Sequence, residues 1–316
     1  MKFLKGKNDF LFLDNDTNGT ILQTCGNHRI DRDVLCHIYD RHCVRHQFLA
    51  DYGAAYFHII PPNKETVLSE YLPDGIKYQE FGKTPVNMYM DFISDHADRG
   101  VGSILQQRTF YRPELLINLD RAGQTPYYRT DTHWNHGAAA LYLREFLIGA
   151  GLTDVVAKMD QMVLDNSEVS FLGDLGKVAE AASELVVERR PQVLLSKIIY
   201  AGNIINEGYI RHTIAPSPAA VPKRLLVIHD SFTHWLFPII SEIFAEVFYI
   251  HTPDVDLSFV RKFAPDYMFF IQVERFLPRL ISNDIEYPNM LRKQAEEKSV
   301  DGRSALYIEG MLEKQE

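Results

Sequence analysis

Short apolar runs alternate with longer amphipathic segments along the chain, which is typical of an α/β protein. Runs rich in aromatic and branched residues are predicted to be strands, at residues 10–13, 55–60, 224–228, 245–250 and 267–273. The intervening amphipathic segments are predicted to be helices, at residues 30–50, 86–96, 137–148, 232–244 and 256–263. This order predicts an α/β fold with a flavodoxin-like, doubly wound, mostly parallel sheet flanked by helices.

The chain contains no linker-like composition and no internal repeat. We therefore expect residues 1–285 to form a single domain that carries any catalytic function. The highly charged segment 286–316 is predicted to be a solvated helix or tail, with a partner-binding helix as the alternative. Residues 155–222 mix helical stretches with loops and give no clear assignment.

Composition narrows the function classes. The 316 residues carry a net charge of −9, whereas proteins that bind phosphate backbones accumulate Lys and Arg, so we expect no nucleic-acid partner. The sequence shows no signal-peptide pattern and no membrane-spanning run, which predicts a cytoplasmic location. A periplasmic or extracytoplasmic location is the alternative if an export signal was removed or lies outside this chain. The three cysteines are expected to be free thiols, or one disulfide with a spare thiol.

Ser231 follows the predicted strand at 224–228 and precedes a predicted helix. The carboxyl ends of parallel strands commonly present functional side chains, and the start of a helix offers free N–H groups to a developing oxyanion. Ser231 is therefore a candidate nucleophile. The alternative is that it only caps the helix, as serine often does.

The tripeptide Asp131-Thr132-His133 supplies what such a serine requires. A hydroxyl needs a base to remove its proton, and an imidazole is an effective base when a carboxylate fixes its tautomer. The two-residue spacing lets Asp131 accept from Nδ1 of His133 while Nε2 faces outward. The alternative is an ordinary polar loop.

A metal site is the competing chemical interpretation, because carboxylates and imidazoles also bind zinc and iron. Two clusters qualify, one of Asp131, His133 and His136, the other of His229, Asp230 and His234. His133 and His136 are three residues apart at the mouth of a helix, whereas the helical zinc motif has a spacing of four. We therefore expect no catalytic metal.

Two blocks together resemble a known family. Residues 128–135, Tyr-Arg-Thr-Asp-Thr-His-Trp-Asn, and residues 229–232, His-Asp-Ser-Phe, are similar to the Asp-x-His and nucleophile blocks of the SGNH-hydrolase-like domain of alginate O-acetyltransferases, the AlgX/AlgJ family. The resemblance covers about residues 6 to 280, with further similar segments at 6–12, 62–64, 70–73, 173–175 and 274–275. It implies an SGNH-hydrolase-like fold.

The resemblance also implies a nucleophile at Ser231, a base at His133, an orienting acid at Asp131, and acetyl transfer to a polysaccharide. The acetyl donor would be acetyl-CoA or an acetyl group from a membrane-bound partner protein, and no cofactor would be bound. Two departures from the family are His229 in place of the usual glycine before Asp230, and the missing export signal.

The sequence thus predicts a serine-dependent O-acetyltransferase with a glycan acceptor. The alternatives are a carbohydrate acetyl esterase with the same three residues, a non-catalytic glycan-binding scaffold, and, least favoured, a metallohydrolase. Further substrate-binding or oxyanion candidates are Asn135, Asn203, Arg129, Tyr128, Trp134 and His229. For Asn135 a helix-capping role is equally expected.

Overall fold

A seven-stranded sheet forms the centre of the fold in a computed structural model that describes residues 1–98, 100–218 and 220–313. In chain order the strands are β1 (Phe3–Lys5), β2 (Leu11–Leu13), β3 (Ala55–Ile59), β4 (Thr109–Phe110), β5 (Leu164–Phe171), β6 (Glu184–Pro191), β7 (Lys197–Ala201), β8 (Ile210–Ile214), β9 (Val221–His229), β10 (Phe244–His251) and β11 (Tyr267–Ile271). The central sheet has the spatial order β4-β3-β11-β9-β10-β8-β7. Two antiparallel pairs, β1 with β2 and β5 with β6, lie outside it.

Helices of varied length connect these strands. They are α1 (Thr20–Thr24), α2 (Arg32–Ala50), α3 (Lys64–Val67), α4 (Pro85–Asp95), α5 (Val101–Arg108), α6 (Pro113–Arg121), α7 (His136–Gly149), α8 (Thr153–Asp160), α9 (Asp174–Val178), α10 (Phe237–Ile243), α11 (Leu257–Phe263), α12 (Tyr287–Glu297) and α13 (Arg303–Glu313). Short 3-10 helices occupy Lys7–Asp9, Ser69–Tyr71, Ser231–Leu236 and Glu274–Phe276. Within the described ranges, none of the helices has the length and apolar character needed to cross a bilayer.

The parallel strands at the centre of the sheet are buried on both faces, whereas the edge strand β7 is largely exposed. Strands β4, β3, β11, β9 and β10 run parallel, and β8 and β7 complete one edge in antiparallel pairing. Along β9, Leu225 and Val227 join one core cluster while Leu226 and Ile228 join another on the opposite face. Double burial explains the continuous apolar run, because a strand covered on both faces has no polar side. The predicted doubly wound, mostly parallel α/β fold is confirmed.

The structure differs from the predicted elements in three places. Strand β2 pairs with β1 rather than joining the central sheet, although all three of its residues are buried. The unassigned region 155–222 contains the hairpin of β5 and β6, whose side chains are largely exposed and therefore lack an apolar run. The helix predicted at 232–244 is divided. Pro238 lies in the first turn of α10, where its missing N–H costs no hydrogen bond.

The C-terminal segment is part of the folded core. Leu291 of α12 and Ile308 of α13 are fully buried against the cluster on one face of the sheet. The predicted solvated segment is therefore packed against the core in the structure. Both helices are short and amphipathic, with a narrow apolar stripe. The many charged residues on their outer faces make this stripe hard to recognise in the sequence.

Truncating the buried leucine tests this packing. We expect Leu291→Ala to lower the free energy of unfolding by about 2–5 kcal/mol, because it leaves a cavity in the core. The matched control is Leu306→Ala on α13, where the leucine is 66% exposed and a change within about 0.5 kcal/mol is expected. Urea denaturation measures both. Equal small losses in the two variants would show that the C-terminal helices do not stabilise the domain.

Candidate active site

Ser231, His133 and Asp131 form one continuous hydrogen-bonded chain. Ser231 begins the 3-10 helix that follows β9, and its Oγ lies 2.8 Å from Nε2 of His133. Nδ1 of His133 lies 2.5 Å from Oδ1 of Asp131. The same carboxylate oxygen accepts the backbone N–H of His133 at 2.9 Å. This arrangement fixes the imidazole with one nitrogen toward a carboxylate and the other toward a hydroxyl, as activation of a serine requires.

The carboxylate of Asp131 is well supplied with donors. Oδ2 accepts the backbone N–H of Asp174 at 2.9 Å, and Oδ1 accepts from His133. Burial raises the pKa of Asp131, but the hydrogen bond and charge of His133, together with the two backbone donors, more than offset burial and hold the pKa below its usual value. Asp131 is therefore ionised at neutral pH and stabilises a charged imidazole.

Helix α9 supports the loop that carries Asp131. The carboxylate of Asp174 accepts the backbone N–H of Thr132 at 2.9 Å and its hydroxyl at 2.7 Å. A Cβ on Gly173 would lie 2.4 Å from both the Cβ of Asp131 and the carbonyl oxygen of Thr130. Only glycine therefore permits this close approach. Neither Gly173 nor Asp174 was identified as a site residue from the sequence. They appear there only within segment 173–175, one of those that resemble the AlgX/AlgJ family.

A buried lysine holds the same loop from below. Lys64 is fully buried, and its Nζ donates to the carbonyl oxygens of Leu11, Tyr128, Arg129 and Asp131 at 2.6–3.0 Å. Burial lowers its pKa to about 8, so the ammonium form still predominates at neutral pH. A single lysine in a sequence gives no sign that it is buried, so sequence reasoning did not identify the role of Lys64.

Glu184, at the start of β6, anchors the other end of the loop. Its carboxylate accepts the backbone N–H groups of Arg129 and Thr130 at 3.0 and 2.8 Å, and the Thr130 hydroxyl at 2.7 Å. The hairpin that the sequence left unassigned thus fixes the loop that presents His133. Contacts of this kind join residues more than fifty positions apart, so spacing gives no signal for them.

Asp230 shapes the turn that presents Ser231. One carboxylate oxygen accepts the N–H of Phe232 at 2.9 Å, and the other accepts the N–H of Val273, after β11, at 2.7 Å. The side chain is buried, which raises its pKa despite these donors. The turn is thereby tied to the carboxyl edge of the neighbouring strand. Ser231 begins a helix, and in its first turn the N–H groups of Phe232 and Thr233 donate to Asp230, which leaves the N–H of Ser231 to bind an oxyanion.

The imidazole of His133 lies against the rings of Phe232 and Trp235. The indole of Trp235 stacks on the ring of His133, with centroids 4.5 Å apart and planes 26° apart. Its Nε1 donates to the Tyr128 hydroxyl at 3.2 Å, and that hydroxyl also contacts Nδ1 of His136 at 3.1 Å. His136, considered above as a metal ligand with His133, is therefore engaged by Tyr128. Trp235 itself is partly exposed.

The other predicted binding residues fall into different environments. Trp134 is fully buried, and its Nε1 donates to the carbonyl oxygen of Phe232 at 3.0 Å, so it joins the two site segments rather than facing a substrate. Asn135 caps α7 by accepting the N–H of Ala138 at 2.9 Å. Asn203 donates to Asp301 at 3.0 Å near the C-terminal helices, and the structure does not bring it to the triad.

Arg129 and His229 differ in their relation to the site. The guanidinium of Arg129 lies 5.8 Å from the ring centroid of Phe10, and the residue lines a cleft beside the site. His229 is buried at the end of β9, and its Nδ1 donates to the carbonyl oxygen of Asp230 at 2.7 Å.

A cleft of about 840 Å³ opens between the start of α7 and the hairpin of β5 and β6. Aromatic, amide and charged side chains line it, among them Tyr128, Arg129, Asn135, Glu168, Glu184 and Arg189. Ser231, His133 and Asp131 do not line this cleft; its link to them is Tyr128, which contacts Trp235, and Trp235 stacks on His133. Its mixed lining matches a polar ligand with apolar faces.

Comparison with known proteins identifies the fold class. The structure of Bacillus cereus PatB1 is similar with a TM-score of 0.62 and 15% identity, covering 88% of this chain and 99% of that one. The O-acetyltransferase domain of Pseudomonas putida AlgJ is similar over the whole of both chains, with a TM-score of 0.55 and 15% identity. A DHHW family protein from Eubacterium siraeum gives 0.56 and 13%, covering 93% and 98%.

These similarities confirm the predicted SGNH-hydrolase-like fold. The expected likeness to the AlgX/AlgJ group is confirmed in the same structural sense. At such identities the likeness establishes the fold alone. No protein-family profile matches the chain, and no curated protein is significantly similar in sequence.

Replacing the buried lysine tests the anchoring of the site loop. We expect Lys64→Met to lower the free energy of unfolding by about 3 kcal/mol or more, because buried carbonyl groups lose their donor. The control is Lys83→Met, where an exposed pair with Asp91 contributes at most about 1 kcal/mol. Chemical denaturation measures both variants. Equal stability of the two would contradict the anchoring role.

Proposed function

We propose that the protein is a serine-dependent O-acetyltransferase that forms an acetyl-Ser231 intermediate and transfers the acetyl group to a glycan hydroxyl. The observation that carries the proposal is the unbroken chain from Ser231 Oγ through His133 to Asp131, with contacts of 2.8 and 2.5 Å. This is the geometry that makes a serine nucleophilic. The structural likeness to the AlgJ O-acetyltransferase domain supports the same reaction class.

In the first half-reaction, Nε2 of His133 takes the proton from Ser231 as Oγ attacks the carbonyl carbon of an acetyl donor. Negative charge on the carbonyl oxygen is stabilised by the backbone N–H of Ser231, at the start of the helix after β9. Collapse of the tetrahedral intermediate breaks the bond to the leaving group, which receives the proton from His133. The product is acetyl-Ser231.

In the second half-reaction, His133 takes the proton from a sugar hydroxyl, whose oxygen attacks the acetyl carbon of acetyl-Ser231. The proton returns to Ser231 Oγ as the acyl bond breaks. Asp131 remains ionised throughout and stabilises the imidazolium form of His133. The donor is acetyl-CoA or an acetyl group presented by a membrane-bound partner protein.

The cleft beside the triad supports a glycan acceptor. Sugars present both hydroxyl groups and apolar C–H faces, and its lining of amides, charges and aromatic residues matches both. The charged side chains that line it balance, two arginines (Arg129 and Arg189) against two glutamates (Glu168 and Glu184), and all four can hydrogen-bond sugar hydroxyl groups.

Removing any member of the triad should abolish turnover. We expect Ser231→Ala, His133→Ala and Asp131→Asn each to reduce hydrolysis of a chromogenic acetate ester by at least roughly 1,000-fold, because the three groups act as a unit. Asp131→Asn should retain the most activity. The matched control is Ser258→Ala on α11, an exposed serine. Circular dichroism checks the fold, and undiminished activity of Ser231→Ala would refute the nucleophile.

The acetyl-enzyme should prefer a sugar hydroxyl to water. Incubation with excess activated acetate ester, or with acetyl-CoA, is expected to label the peptide that contains Ser231, as detected by mass spectrometry. Added acidic and neutral oligosaccharides should then speed loss of the label and become acetylated, because a transferase excludes water while admitting its acceptor.

The outcomes of this experiment separate the alternatives. Label on Ser231 that yields only free acetate with every acceptor would reclassify the protein as an esterase. No label at any time would favour a non-catalytic glycan-binding scaffold. Acetylation by the Ser231→Ala variant would refute the covalent route.

A further inference from the structure

Three histidines gather at the carboxyl edge of the sheet, beside the triad but separate from it. His229 ends β9 and His251 ends β10, and the two residues are paired in register across these parallel strands. Paired residues on neighbouring strands project from the same face of the sheet. Their rings accordingly lie close together, with centroids 5.2 Å apart.

His234 completes the group from the 3-10 helix that follows β9. Its ring centroid lies 6.0 Å from that of His229 and 6.0 Å from that of His251. One ring nitrogen from each histidine lies within 4.8 Å of the other two. Three imidazoles on one tetrahedral ion, with metal–nitrogen bonds of about 2.1 Å, have ring centres roughly 5 Å apart. The observed triangle is close to that size.

Two of the three histidines, His229 and His251, each have a buried ring nitrogen without a partner among the described residues. Nδ1 of His229 donates to the carbonyl oxygen of Asp230 at 2.7 Å, which leaves Nε2 with its lone pair, buried and without a hydrogen bond to any described residue. Nδ1 of His251 is likewise buried and unpartnered among those residues. A backbone carbonyl on one ring nitrogen is the usual way to orient a metal-binding histidine.

The surroundings keep all three rings neutral. Burial lowers the pKa of His229 well below its ordinary value, and burial with neighbouring positive groups lowers those of His234 and His251 to about 4 and about 3. A cavity of about 30 Å³, which is room for one small ion or water, borders His229 and His251, and His234 lies outside its lining. Arg279 lines that cavity and carries a positive charge, and Glu207, also in its lining, carries a compensating negative charge.

We propose that His229, His234 and His251 form a binding site for one divalent first-row transition-metal ion of the zinc class. Neutral imidazoles suit zinc, copper, nickel and iron, whereas magnesium and calcium prefer oxygen ligands. Three protein ligands leave at least one coordination position open. The site lies near the nucleophile, because residues three apart in a 3-10 helix share a face and His234 follows Ser231 by three.

Metal binding is tested directly on the full-length protein after exhaustive chelation. Isothermal titration with Zn²⁺ is expected to give one site per chain, and Co²⁺ is expected to give the visible absorption of a tetrahedral nitrogen-ligated ion. Removal of one ligand, in His234→Gln or His251→Gln, should weaken binding by more than roughly 100-fold, since even changes outside the ligand set cost 10–100-fold. Both residues are partly exposed, so these variants are expected to fold.

Three controls locate the metal. His28→Gln, a partly exposed histidine outside the cluster, should leave affinity unchanged. Ser231→Ala and His133→Gln should also keep binding, which makes this inference independent of the proposed function. The proposal would be overturned if the protein bound no measurable Zn²⁺, or if both ligand variants kept the original affinity. Loss of binding in His133→Gln would also overturn it. So would an intense thiolate-to-cobalt absorption band, because that band would show cysteine ligands.

Discussion

The buried ammonium of Lys64 is the interaction on which the geometry of the site depends. Burying a charge is costly unless protein groups replace the hydrogen bonds that it made to water. Here carbonyl oxygens from β2 and from the loop before α7 replace them. The cation therefore fixes the backbone from Tyr128 to Asp131. The pair of β1 and β2 lies outside the central sheet, and the carbonyl of Leu11 ties it to the same ammonium.

Ser231 and His133 are supported by different parts of the fold and meet through their own hydrogen bond and the aromatic contacts around it. Asp230 ties the turn of Ser231 to the edge of the central sheet by accepting the N–H of Val273. Lys64 and the two acidic groups of α9 and β6 hold the loop of His133. Trp134 joins the halves by donating to the carbonyl of Phe232. Its full burial follows from this role, because an indole buried between two segments rigidifies both.

The sequence predicts well those features that have a local signal. The buried strands β9, β10 and β11, the Asn135 cap of α7 and the spacing of Asp131 and His133 are all local, and each lies where it was predicted. The hairpin of β5 and β6 and the buried Lys64 have no such signal, because exposed strands lack an apolar run and a single lysine does not reveal its burial. Long-range contacts of this kind become visible only once the chain is folded.

His133 and His229, both near Ser231, differ chiefly in the group that faces Nδ1. This difference gives the two histidines different chemical properties. His133 faces the ionised carboxylate of Asp131, which stabilises the protonated ring and suits a base that must accept and return a proton. His229 faces a neutral carbonyl and is buried, so protonation is unfavourable and its free lone pair suits a metal ion. The register of β9 and β10 then brings His251 beside it. One edge of the sheet can therefore hold a proton-transfer site and a metal site without exchange of ligands between them.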